Sequence, residues 1–301
     1  MMKIGIIGAG SIGLLFASHL SQICPVVIYT RTKEQAKVIN ENGIVLWKGN
    51  RALRMNVKAM TIDEWAGDEQ LNIIAVKQYH LENILSRMKE FKKKIENLLF
   101  LQNGMGHLKL LSGINANHIF VGSIEHGANK ENSFTVRHNG EGITNLALFK
   151  GDRDSLFEIV SLFPPSFPVK LHENYYEMLL NKLIINAVIN PMTAILQVKN
   201  GELINNPYYL QVLKDLYLEI SCIMHLKDVE GNLQKIIQVC QNTSENRSSM
   251  FKDIEGGRKT EVEAILGFLL EEKEKDNQKA PLITSFYHLI RGKEKGIDEN
   301  G

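Results

Sequence analysis

Lys182, Asn186 and Asn190 form the most chemically suggestive pattern in the sequence, because they interrupt an apolar segment at intervals of four residues. The segment from Leu179 to Pro191 is apolar on most faces, which predicts a largely buried helix. At 3.6 residues per turn, positions i, i+4 and i+8 drift by only ~40° per step, so the three polar side chains form one stripe. An ammonium group buried without a partner is strongly destabilising. The stripe therefore indicates either an active-site cleft, which supplies an anion or water, or a domain surface where the asparagines bond to neighbouring loops.

A second chemical signal is the loop Gly8-Ala9-Gly10-Ser11-Ile12-Gly13, which follows the strand-like run Lys3–Ile7 and opens an apolar helix. In a Gly-x-Gly-x-x-Gly loop, the first glycine permits a tight turn and the second lets the backbone approach a pyrophosphate. The third lets the helix pack closely on the strand, and the helix N-terminus faces the anion. This context favours a dinucleotide site over a glycine-rich turn without a ligand.

The residues after the next strand-like run, Val26–Tyr29, indicate which dinucleotide is bound. A site for NAD usually has Asp or Glu there, which accepts hydrogen bonds from the ribose 2′-hydroxyl. This chain has Arg31, whose guanidinium would pair with a 2′-phosphate, although Glu34 lies nearby. The pattern favours an NADP-type cofactor, and the alternative is that Arg31 is simply exposed to solvent.

Two further predicted strands end in polar groups, at the edge where an open α/β sheet binds its ligand. Lys77 and Asn103 each follow a short apolar run, and Gly104 and Gly106 would allow the backbone to approach a cofactor closely. We therefore predict that Lys77 and Asn103 lie in the site. The alternatives are a surface lysine and a simple turn asparagine.

Another polar group lies in the second half of the chain, at Asn246 and Ser249 in NRSSM and at Glu261 in GGRKTEVEAILG. Thr260 and Glu263 match a capping box, in which each side chain bonds to the backbone of the other residue, so Glu263 has a structural role. Glu261 is then either a first-turn residue that compensates the helix dipole or a carboxylate of the site. Spacing alone leaves both interpretations open.

The elements that must position these groups divide the chain in two. The near-continuous apolar runs KIGIIG, VVIYT, LNIIAVK, NLLFLQN and HIFVGSIEHG alternate with helical patterns up to about residue 170. Beyond them the pattern is almost wholly helical. The predicted fold class is α/β, with an N-terminal Rossmann-type doubly wound sheet followed by an all-helical C-terminal domain. We place an NADP-binding domain at residues 1–168 and a helical substrate and catalytic domain at 169–301.

Several local features complete this prediction. The turn-rich residues 139–142 predict an antiparallel hairpin within 133–149. The proline-rich segment 163–168 is the expected linker, and Pro191 is expected to kink or end its helix. Helices are predicted near residues 174–198, 208–225, 229–242 and 260–276. The residues after about Arg291 are polar enough to fray.

Composition excludes several classes of function. Lys and Arg number 35 and Asp and Glu 34, so no net field attracts nucleic acid or an anionic membrane. The three cysteines contain no Cys-x-x-Cys pair, which favours a reducing compartment, the cytoplasm. The nine histidines form no His-x-x-x-His or similar cluster, so no metal is predicted. No apolar stretch reaches the ~18 residues of a membrane span. A small molecule is the expected partner.

The glycine loop, QNGMG, NKLIINAVINPMTAIL, NRSSM and GGRKTEVEAILGFLL occur in an order that resembles the ketopantoate reductases, also called 2-dehydropantoate 2-reductases. The resemblance covers nearly the whole chain. It implies NADPH-dependent reduction of 2-dehydropantoate to pantoate, a step toward coenzyme A.

The same resemblance implies roles for individual residues. Lys182 would be the general acid, and Glu261 would orient it or contact the substrate. The remaining implied substrate contacts are Asn103, Asn186, Asn190, Asn200, Asn246 and Ser249. The implied cofactor contacts are the loop from Gly8 to Gly13, Arg31, Lys77 and Asn103.

Other interpretations stay open at the level of sequence. A reductase of another 2-oxoacid would share the same two-domain plan. A non-catalytic NADP-sensing protein would keep the glycine loop but lose the chemical groups, and the presence of Lys182, both asparagines and Glu261 argues against it. The apolar helices of the second half would serve a homodimer or pack within one chain.

Overall fold

The computed structural model describes residues 2–297, which form two compact units. The first unit contains the chain up to Gln102 and the segment Leu108–Leu179. The second contains Asn103–His107 and the chain from Leu180 onward. The five residues that follow Gln102 therefore belong with the helical second half of the chain.

The first unit is built on two sheets and the helices that cover them. Its strands are β1 (Ile4–Ile7), β2 (Val26–Thr30), β3 (Ile44–Lys48), β4 (Arg51–Met55), β5 (Lys58–Thr61), β6 (Leu71–Ile74), β7 (Ile95–Phe100), β8 (Ala116–Ile124), β9 (Gly127–Lys130), β10 (Thr135–Gly140), β11 (Thr144–Lys150) and β12 (Val169–His172). Its helices are α1 (Ser11–Leu20), α2 (Lys33–Asn42), α3 (Leu81–Met88), α4 (Leu108–Leu111) and α5 (Arg153–Val160).

The large sheet has the order β12-β11-β8-β7-β6-β1-β2-β5. β1 lies between β2 and β6 and pairs with both in parallel, so the strand order reverses at β1. Ligands of open α/β sheets bind at such a reversal, beyond the carboxyl ends of the strands. Ile4, Ile6 and Ile73 have no exposed surface, as expected for strands covered on both faces. The predicted doubly wound fold is confirmed, and the five predicted runs form β1, β2, β6, β7 and β8.

The predicted hairpin around residues 139–142 is wrong. β10 pairs with β9 and β3, whereas β11 pairs with β8 and β12. The actual turn lies at residues 131–134, and β8–β9 with β10–β11 form one long ribbon. This ribbon bends from the large sheet into a second sheet, ordered β4-β3-β10-β9. Gly140 lies at a register shift, and a β-carbon on Gly142 would lie 2.5 Å from the Glu125 carbonyl oxygen. The glycines therefore serve the bend rather than a turn.

The segment 163–168, predicted as a linker, is part of the core of the first unit. Phe163 and Phe167 are buried, and their rings pack against Phe16 of α1 at centroid distances of 6.0 and 5.1 Å. The chain then forms β12, which extends the large sheet beside β11. The first unit therefore continues to Leu179 instead of ending at residue 168, because burial of these aromatic side chains outweighs the helix- and strand-breaking prolines.

The rest of the chain is helical. Its helices are α6 (Tyr175–Leu196), α7 (Glu202–Asn205), α8 (Pro207–Ile223), α9 (Val229–Asn242), α10 (Ser249–Glu255), α11 (Phe268–Lys275) and α12 (Pro281–Glu294), and a π-helical turn (Glu263–Gly267) precedes α11. The sequence did not predict α12. The expected fraying after Arg291 is wrong for residues 292–294, because α12 continues to the buried Glu294. Residues 298–301 lie outside the described part of the chain.

The polar stripe lies on α6, which continues to Leu196 without ending at Pro191. α6 is long enough, and with a mean hydropathy of 1.5 apolar enough, to cross a membrane. The expectation that no segment reaches this length was therefore wrong. However, 61% of its most apolar window is buried inside the protein, which is typical of the core helix of a folded domain.

Candidate active site

The glycine loop connects β1 to α1 in the first unit. Gly8 has a φ of +108°, which favours glycine. A β-carbon on Gly13 would overlap the carbonyl oxygen of Gly8, so the third glycine lets helix and loop approach closely. A β-carbon on Gly10 would instead meet no atom of residues 2–297 within 4 Å. The second glycine therefore borders open space at the start of α1, where a pyrophosphate fits.

The first turn of α1 has the polarity that an anion requires. Gly10 is its N-cap, and among the described residues no side chain caps this turn. Its residues Ser11 and Ile12 are half-buried, and neither carries a negative charge. The N–H groups of a first turn lack partners within the helix, and the helix dipole is positive there. The turn is thus suited to bind phosphate oxygens through its backbone.

Gln35 of α2 holds this loop in place. Its Nε2 group donates to the carbonyl oxygens of Ala9 at 3.0 Å and Ser133 at 2.9 Å. Ala9 is a buried residue of the glycine loop, and Ser133 lies in the turn between β9 and β10. One side-chain amide therefore fixes the turn of the small sheet against the phosphate loop.

Two basic residues lie together at the end of β2. Arg31 directly follows β2 and is exposed, and its contact with a 2′-phosphate stays a prediction. Lys130 ends β9, and desolvation, followed by the nearby charge of Arg31, lowers the pKa of its ammonium group. The pair concentrates positive charge beside the expected ribose position.

Lys77 follows β6 and is half-buried. Its ammonium group lies 5.9 Å from the centre of the Tyr79 ring, within the range of a cation–π interaction. Gln102 steadies the backbone ahead of it, because Nε2 donates to the carbonyl oxygens of Ile74 and Val76, both at 3.0 Å. Lys77 thus lies at the carboxyl edge of the sheet, where the sequence placed it.

Asn103 and Glu261 meet in the second unit. The Nδ2 group of Asn103 donates to Oε2 of Glu261 at 2.8 Å. Gly104 follows in the left-handed region with φ +76°, and a β-carbon there would overlap the carbonyl oxygen of Ala264. The QNGMG segment therefore packs directly against the π-helical turn that follows Glu261.

The stripe of α6 lies in the same unit. Lys182 and Asn186 are half-buried and Asn190 is buried. The Nδ2 group of Asn190 donates to the hydroxyl of Ser249, at 3.5 Å, and the hydroxyls of Thr193 and Ser248 are 2.7 Å apart. These contacts join α6 at Asn190, the last residue of the stripe, and at Thr193 to the NRSSM segment at the start of α10.

Asn200 and Asn246 also lie together, and their contacts with a substrate stay a prediction. The Asn200 N–H donates to the Asn246 carbonyl at 3.0 Å, and Asn200 Nδ2 donates to the hydroxyl of Thr243 at 2.9 Å. Asn200 is buried, whereas Asn246 is exposed. The two residues tie the chain after α6 to the loop before α10.

The predicted capping box of Thr260 and Glu263 is wrong. Oε1 of Glu294 accepts hydrogen bonds from both the N–H and the hydroxyl of Thr260, at 2.7 and 2.6 Å. Oε2 of Glu263 instead accepts from the hydroxyl of Tyr287, at 2.6 Å. The sequence pattern failed because a carboxylate from a distant helix takes the position that a local glutamate would occupy.

The second unit therefore supplies a lysine, several amides and a carboxylate. An ammonium group donates protons, and neighbouring amides and hydroxyls orient a carboxylate or hydroxyl of a small molecule. Within residues 2–297, no group of three or more His, Cys, Asp or Glu side chains is arranged to hold a metal ion. Acid catalysis by Lys182 is the chemistry that these groups support.

Two family models match this chain. The one described as "Ketopantoate reductase PanE/ApbA" matches residues 4–151, and the one described as "Ketopantoate reductase PanE/ApbA C terminal" matches residues 174–294. The chain belongs to the ketopantoate reductase family. Ketopantoate reductase family members thus share both the sheet unit and the helical unit with this protein.

Relatives in this family cover almost the entire chain. A 2-dehydropantoate 2-reductase of Bacillus subtilis is 40% identical over 300 residues, which are 99% of each chain. One of Listeria monocytogenes is 37% identical over 300 residues, 99% of this chain and 98% of the relative. A crystal structure of a probable 2-dehydropantoate 2-reductase from Bacillus subtilis matches with a TM-score of 0.88 over 97% of this chain and 100% of that one, at 40% identity. A D-mandelate dehydrogenase with NADH and anilino(oxo)acetate shares the fold, with a TM-score of 0.88 at 22% identity over 98% of this chain and 99% of that one.

Sequence reasoning missed three features of this protein. Gln35 carries no sequence signal, because its role depends on the turn at residues 131–134 that it contacts. Lys130 can be recognised as a candidate cofactor residue only in the folded chain, because the ribbon places it near Arg31. Helix α12 had a readable signal, because Pro281 occupies the first helical position, where proline is favoured.

Proposed function

We propose that this protein catalyses the NADPH-dependent reduction of 2-dehydropantoate to pantoate. The observation that carries the proposal is the hydrogen bond from Asn103 to Glu261, at 2.8 Å across 158 positions of sequence, within the unit that also contains the Lys182 stripe. The segments QNGMG and GGRKTEVEAILG, which the sequence indicated as parts of the site, are thus joined by a side-chain hydrogen bond. Likeness to 2-dehydropantoate 2-reductases over the full chain supports the same activity.

The substrate requires a proton, a hydride and a means of orientation. Reduced nicotinamide, when bound, would supply the hydride that the ketone carbon accepts. Lys182 donates the proton to the developing alkoxide, and its positive charge stabilises the negative charge that forms on that oxygen. Asn186, Asn190 and Ser249 hold the carboxylate and hydroxyl groups of the substrate. Glu261 orients the lysine or a substrate hydroxyl and is itself held by Asn103.

The basic pair of Arg31 and Lys130 favours NADPH over NADH. The loop from Gly8 to Gly13 would hold the pyrophosphate, and Lys77 and Asn103 would contact the nicotinamide half. Arg31 pairs with the 2′-phosphate, which NADH lacks. Lys130 adds a second positive charge beside Arg31.

The proposal also includes the partner, the cellular compartment and the oligomeric state of the protein. A small 2-oxoacid is the partner, the cytoplasm is the compartment, and nucleic acid and membranes are not partners. A homodimer is part of the proposal, because α8 exposes the apolar residues Tyr208 and Leu218 at 81% and 49%. Sedimentation velocity on the purified protein tests the dimer.

The proposal is tested by following NADPH absorbance with purified protein. Ketopantoate is compared with a panel of other 2-oxoacids, NADPH with NADH, and wild type with Arg31→Ala. We expect the highest kcat/KM with ketopantoate and NADPH, and a loss of the NADPH preference in Arg31→Ala. A higher kcat/KM for another 2-oxoacid would assign that substrate instead. Equal rates with NADPH and NADH would overturn the 2′-phosphate role. Binding of NADPH without oxidation by any 2-oxoacid would indicate a sensor protein.

A further inference from the structure

Helix α12 contacts the chain on both sides of Glu261. Tyr287, Arg291 and Glu294 are spaced i, i+4 and i+7, so they share one helix face. On one side, Oε1 of Glu294 accepts the N–H and the hydroxyl of Thr260 at 2.7 and 2.6 Å. On the other side, the Tyr287 hydroxyl donates to Oε2 of Glu263 at 2.6 Å. This α12 face therefore brackets Glu261 at the residue before it and at the second residue after it.

The contact at Thr260 exceeds what a helix start needs. The Thr260 hydroxyl oxygen already accepts the Val262 N–H at 3.1 Å, which is a local cap. Glu294 adds two charge-assisted hydrogen bonds from a side chain that is only 6% exposed. Arg291 lies 3.3 Å from its other oxygen and compensates the buried charge. A local cap does not require such a buried, paired carboxylate, so the additional bonds fix where Thr260 lies.

The contact at Glu263 uses a hydroxyl that stays protonated. Desolvation, followed by the hydrogen bond to Glu263, raises the pKa of Tyr287 to about 12. The hydroxyl therefore remains a donor throughout the neutral pH range. It holds the first residue of the π-helical turn Glu263–Gly267. Such turns are rare and are frequent at functional sites, because they displace backbone from its ordinary helical course.

A third contact reaches the same turn from the other side. The backbone of Gly104 packs against the carbonyl of Ala264, and only glycine leaves room for this approach. Asn103, the preceding residue, donates to Glu261. The position of the Glu261 carboxylate relative to Asn103 thus depends on where the backbone from Thr260 to Ala264 is held.

We propose that Tyr287 and Glu294 are positioning residues, which hold the backbone on either side of Glu261 so that its carboxylate meets the Asn103 amide. The inference rests on the proposed function, in which Glu261 serves the reaction. Neither Tyr287 nor Glu294 contacts the reacting groups, and they act through Glu261.

The test is a double-mutant cycle between α12 and Asn103. Tyr287→Phe removes the hydroxyl and little else, and Glu294→Ala and Glu294→Gln remove the carboxylate completely or only its charge. We expect Tyr287→Phe and Glu294→Ala to lower kcat by roughly tenfold, with Glu294→Gln recovering part of the loss. In an Asn103→Ala background, the same substitutions should change kcat by less than about twofold, because the contact they serve is already absent.

Controls separate positioning from general stability. Tyr176→Phe on α6 and Glu274→Gln on α11 alter exposed side chains of the same types, and both should leave kcat unchanged. The Kd for NADPH, measured by fluorescence in the absence of substrate, should be unchanged in every α12 variant. Additive effects of Tyr287→Phe and Asn103→Ala on kcat, or a kcat equal to the controls, would overturn the inference.

A crystal structure of Glu294→Ala gives a readout that does not depend on activity. The distance from Asn103 Nδ2 to Glu261 Oε2 should lengthen beyond hydrogen-bonding range, and an unchanged 2.8 Å would overturn the inference. If Glu294→Ala does not fold, Tyr287→Phe provides the same measurement. Absence of ketopantoate reduction by the wild type would overturn the proposed function alone, since the crystallographic distance still decides the positioning role.

Discussion

The amide of Asn103 donates a hydrogen bond to Oε2 of Glu261 over 2.8 Å, although 158 positions separate the two residues. The bond forms because the chain leaves the first unit at Gln102, and the next five residues, Asn103–His107, belong to the second unit. Gly104 permits this course, since its φ of +76° and its contact with Ala264 both exclude a side chain. A carboxylate held in this way keeps one orientation, which is a requirement for preorganised catalysis.

Asn103→Ala should therefore lower kcat/KM for ketopantoate by roughly 10- to 100-fold, because Glu261 loses the donor that orients it. Asn103→Asp should be more harmful, since two carboxylates would then repel each other. Steady-state kinetics of both variants check the prediction. Asn117→Ala is a matched control, because Asn117 also donates to a glutamate, Glu96, at 2.8 Å but at the exposed surface. Equal losses in the Asn103 and Asn117 variants would contradict the prediction.

Lys182→Ala should lower kcat steeply while the Kd for NADPH stays near the wild-type value. Loss of a general acid commonly reduces the rate by about 10²- to 10⁴-fold, and the cofactor loop belongs to the other unit. Single-turnover kinetics and a fluorescence titration with NADPH measure the two quantities. Lys235→Ala serves as the control, because Lys235 lies exposed on α9 and bonds to Asn232 at 3.1 Å. An unchanged kcat in Lys182→Ala would refute the assignment.

Gly10→Ala and Gly13→Ala should separate cofactor binding from folding. A β-carbon on Gly10 meets open space, so this variant should keep its melting temperature but bind NADPH weakly. A β-carbon on Gly13 overlaps the Gly8 carbonyl oxygen, and overpacking of this kind destabilises by about 1–3 kcal/mol. Thermal melts and NADPH titrations of the two variants are the measurements. The idea fails if Gly10→Ala binds NADPH as tightly as wild type does.

These glycines show which parts of the fold a sequence can reveal. The turn at Gly8 and the close packing at Gly13 follow from local backbone geometry, and the structure contains both, whereas the approach of Gly10 to a pyrophosphate stays a prediction. Buried parallel strands were equally readable, because their apolar runs are continuous. The pairing between strands could not be predicted, since the bend near Gly142 has the same composition as a turn.

The candidate site shows the same division. The stripe of Lys182, Asn186 and Asn190 could be predicted because helical spacing is local. The partner of Thr260 could not, because Glu294 reaches it from another helix and a local glutamate offered a simpler cap. Contacts between distant segments depend on tertiary packing, which neither spacing nor propensity encodes.

Lys130→Gln should weaken NADPH binding while leaving NADH binding unchanged. Lys130 and Arg31 place two positive charges together, and only the 2′-phosphate of NADPH adds negative charge there. We expect the Kd for NADPH to rise by roughly five- to tenfold, with a smaller salt dependence. Titration with 2′,5′-ADP and 5′-ADP checks the effect without catalysis. The control is Lys33→Gln, which removes an exposed charge from the first turn of α2. Parallel losses for both nucleotides would argue against a contact with the 2′-phosphate.

Three histidines and one phenylalanine form a buried aromatic cluster in the first unit. The rings of His19 and His126 stack on Phe167 at centroid distances of 4.3 and 4.2 Å. Nδ1 of His126 lies 3.2 Å from Nε2 of His138, and it also accepts the N–H of Gly142 at 3.1 Å. Burial, followed by the neighbouring histidines, lowers the pKa of His19 to about 4, and burial followed by His138 does the same to the pKa of His126. The folded protein therefore keeps these rings neutral.

This cluster should make folding stability depend on pH. His19 and His126 titrate near 6.5 in the unfolded chain and near 4 in the folded protein, so between these values the unfolded chain binds more protons. The free energy of unfolding should therefore fall as the pH decreases from about 6.5 to about 4, and it should change little from this source above pH 7. The ion pair of Lys48 and Glu141, at 2.8 Å, faces the cluster with one charge of each sign. Glu141 favours protonation of His19 and Lys48 opposes it, and burial outweighs both.

His19→Leu tests this dependence directly. Among the described residues neither ring nitrogen of His19 has a hydrogen-bond partner, so leucine removes a titrating group without breaking a bond. The melting temperature of the variant should fall less than that of wild type between pH 7 and pH 5, as followed by circular dichroism. His225→Gln is the control, because His225 is 69% exposed and pairs with Asp276, outside the cluster. Identical pH slopes in His19→Leu and wild type would show that protons taken up by the buried rings do not control acid unfolding.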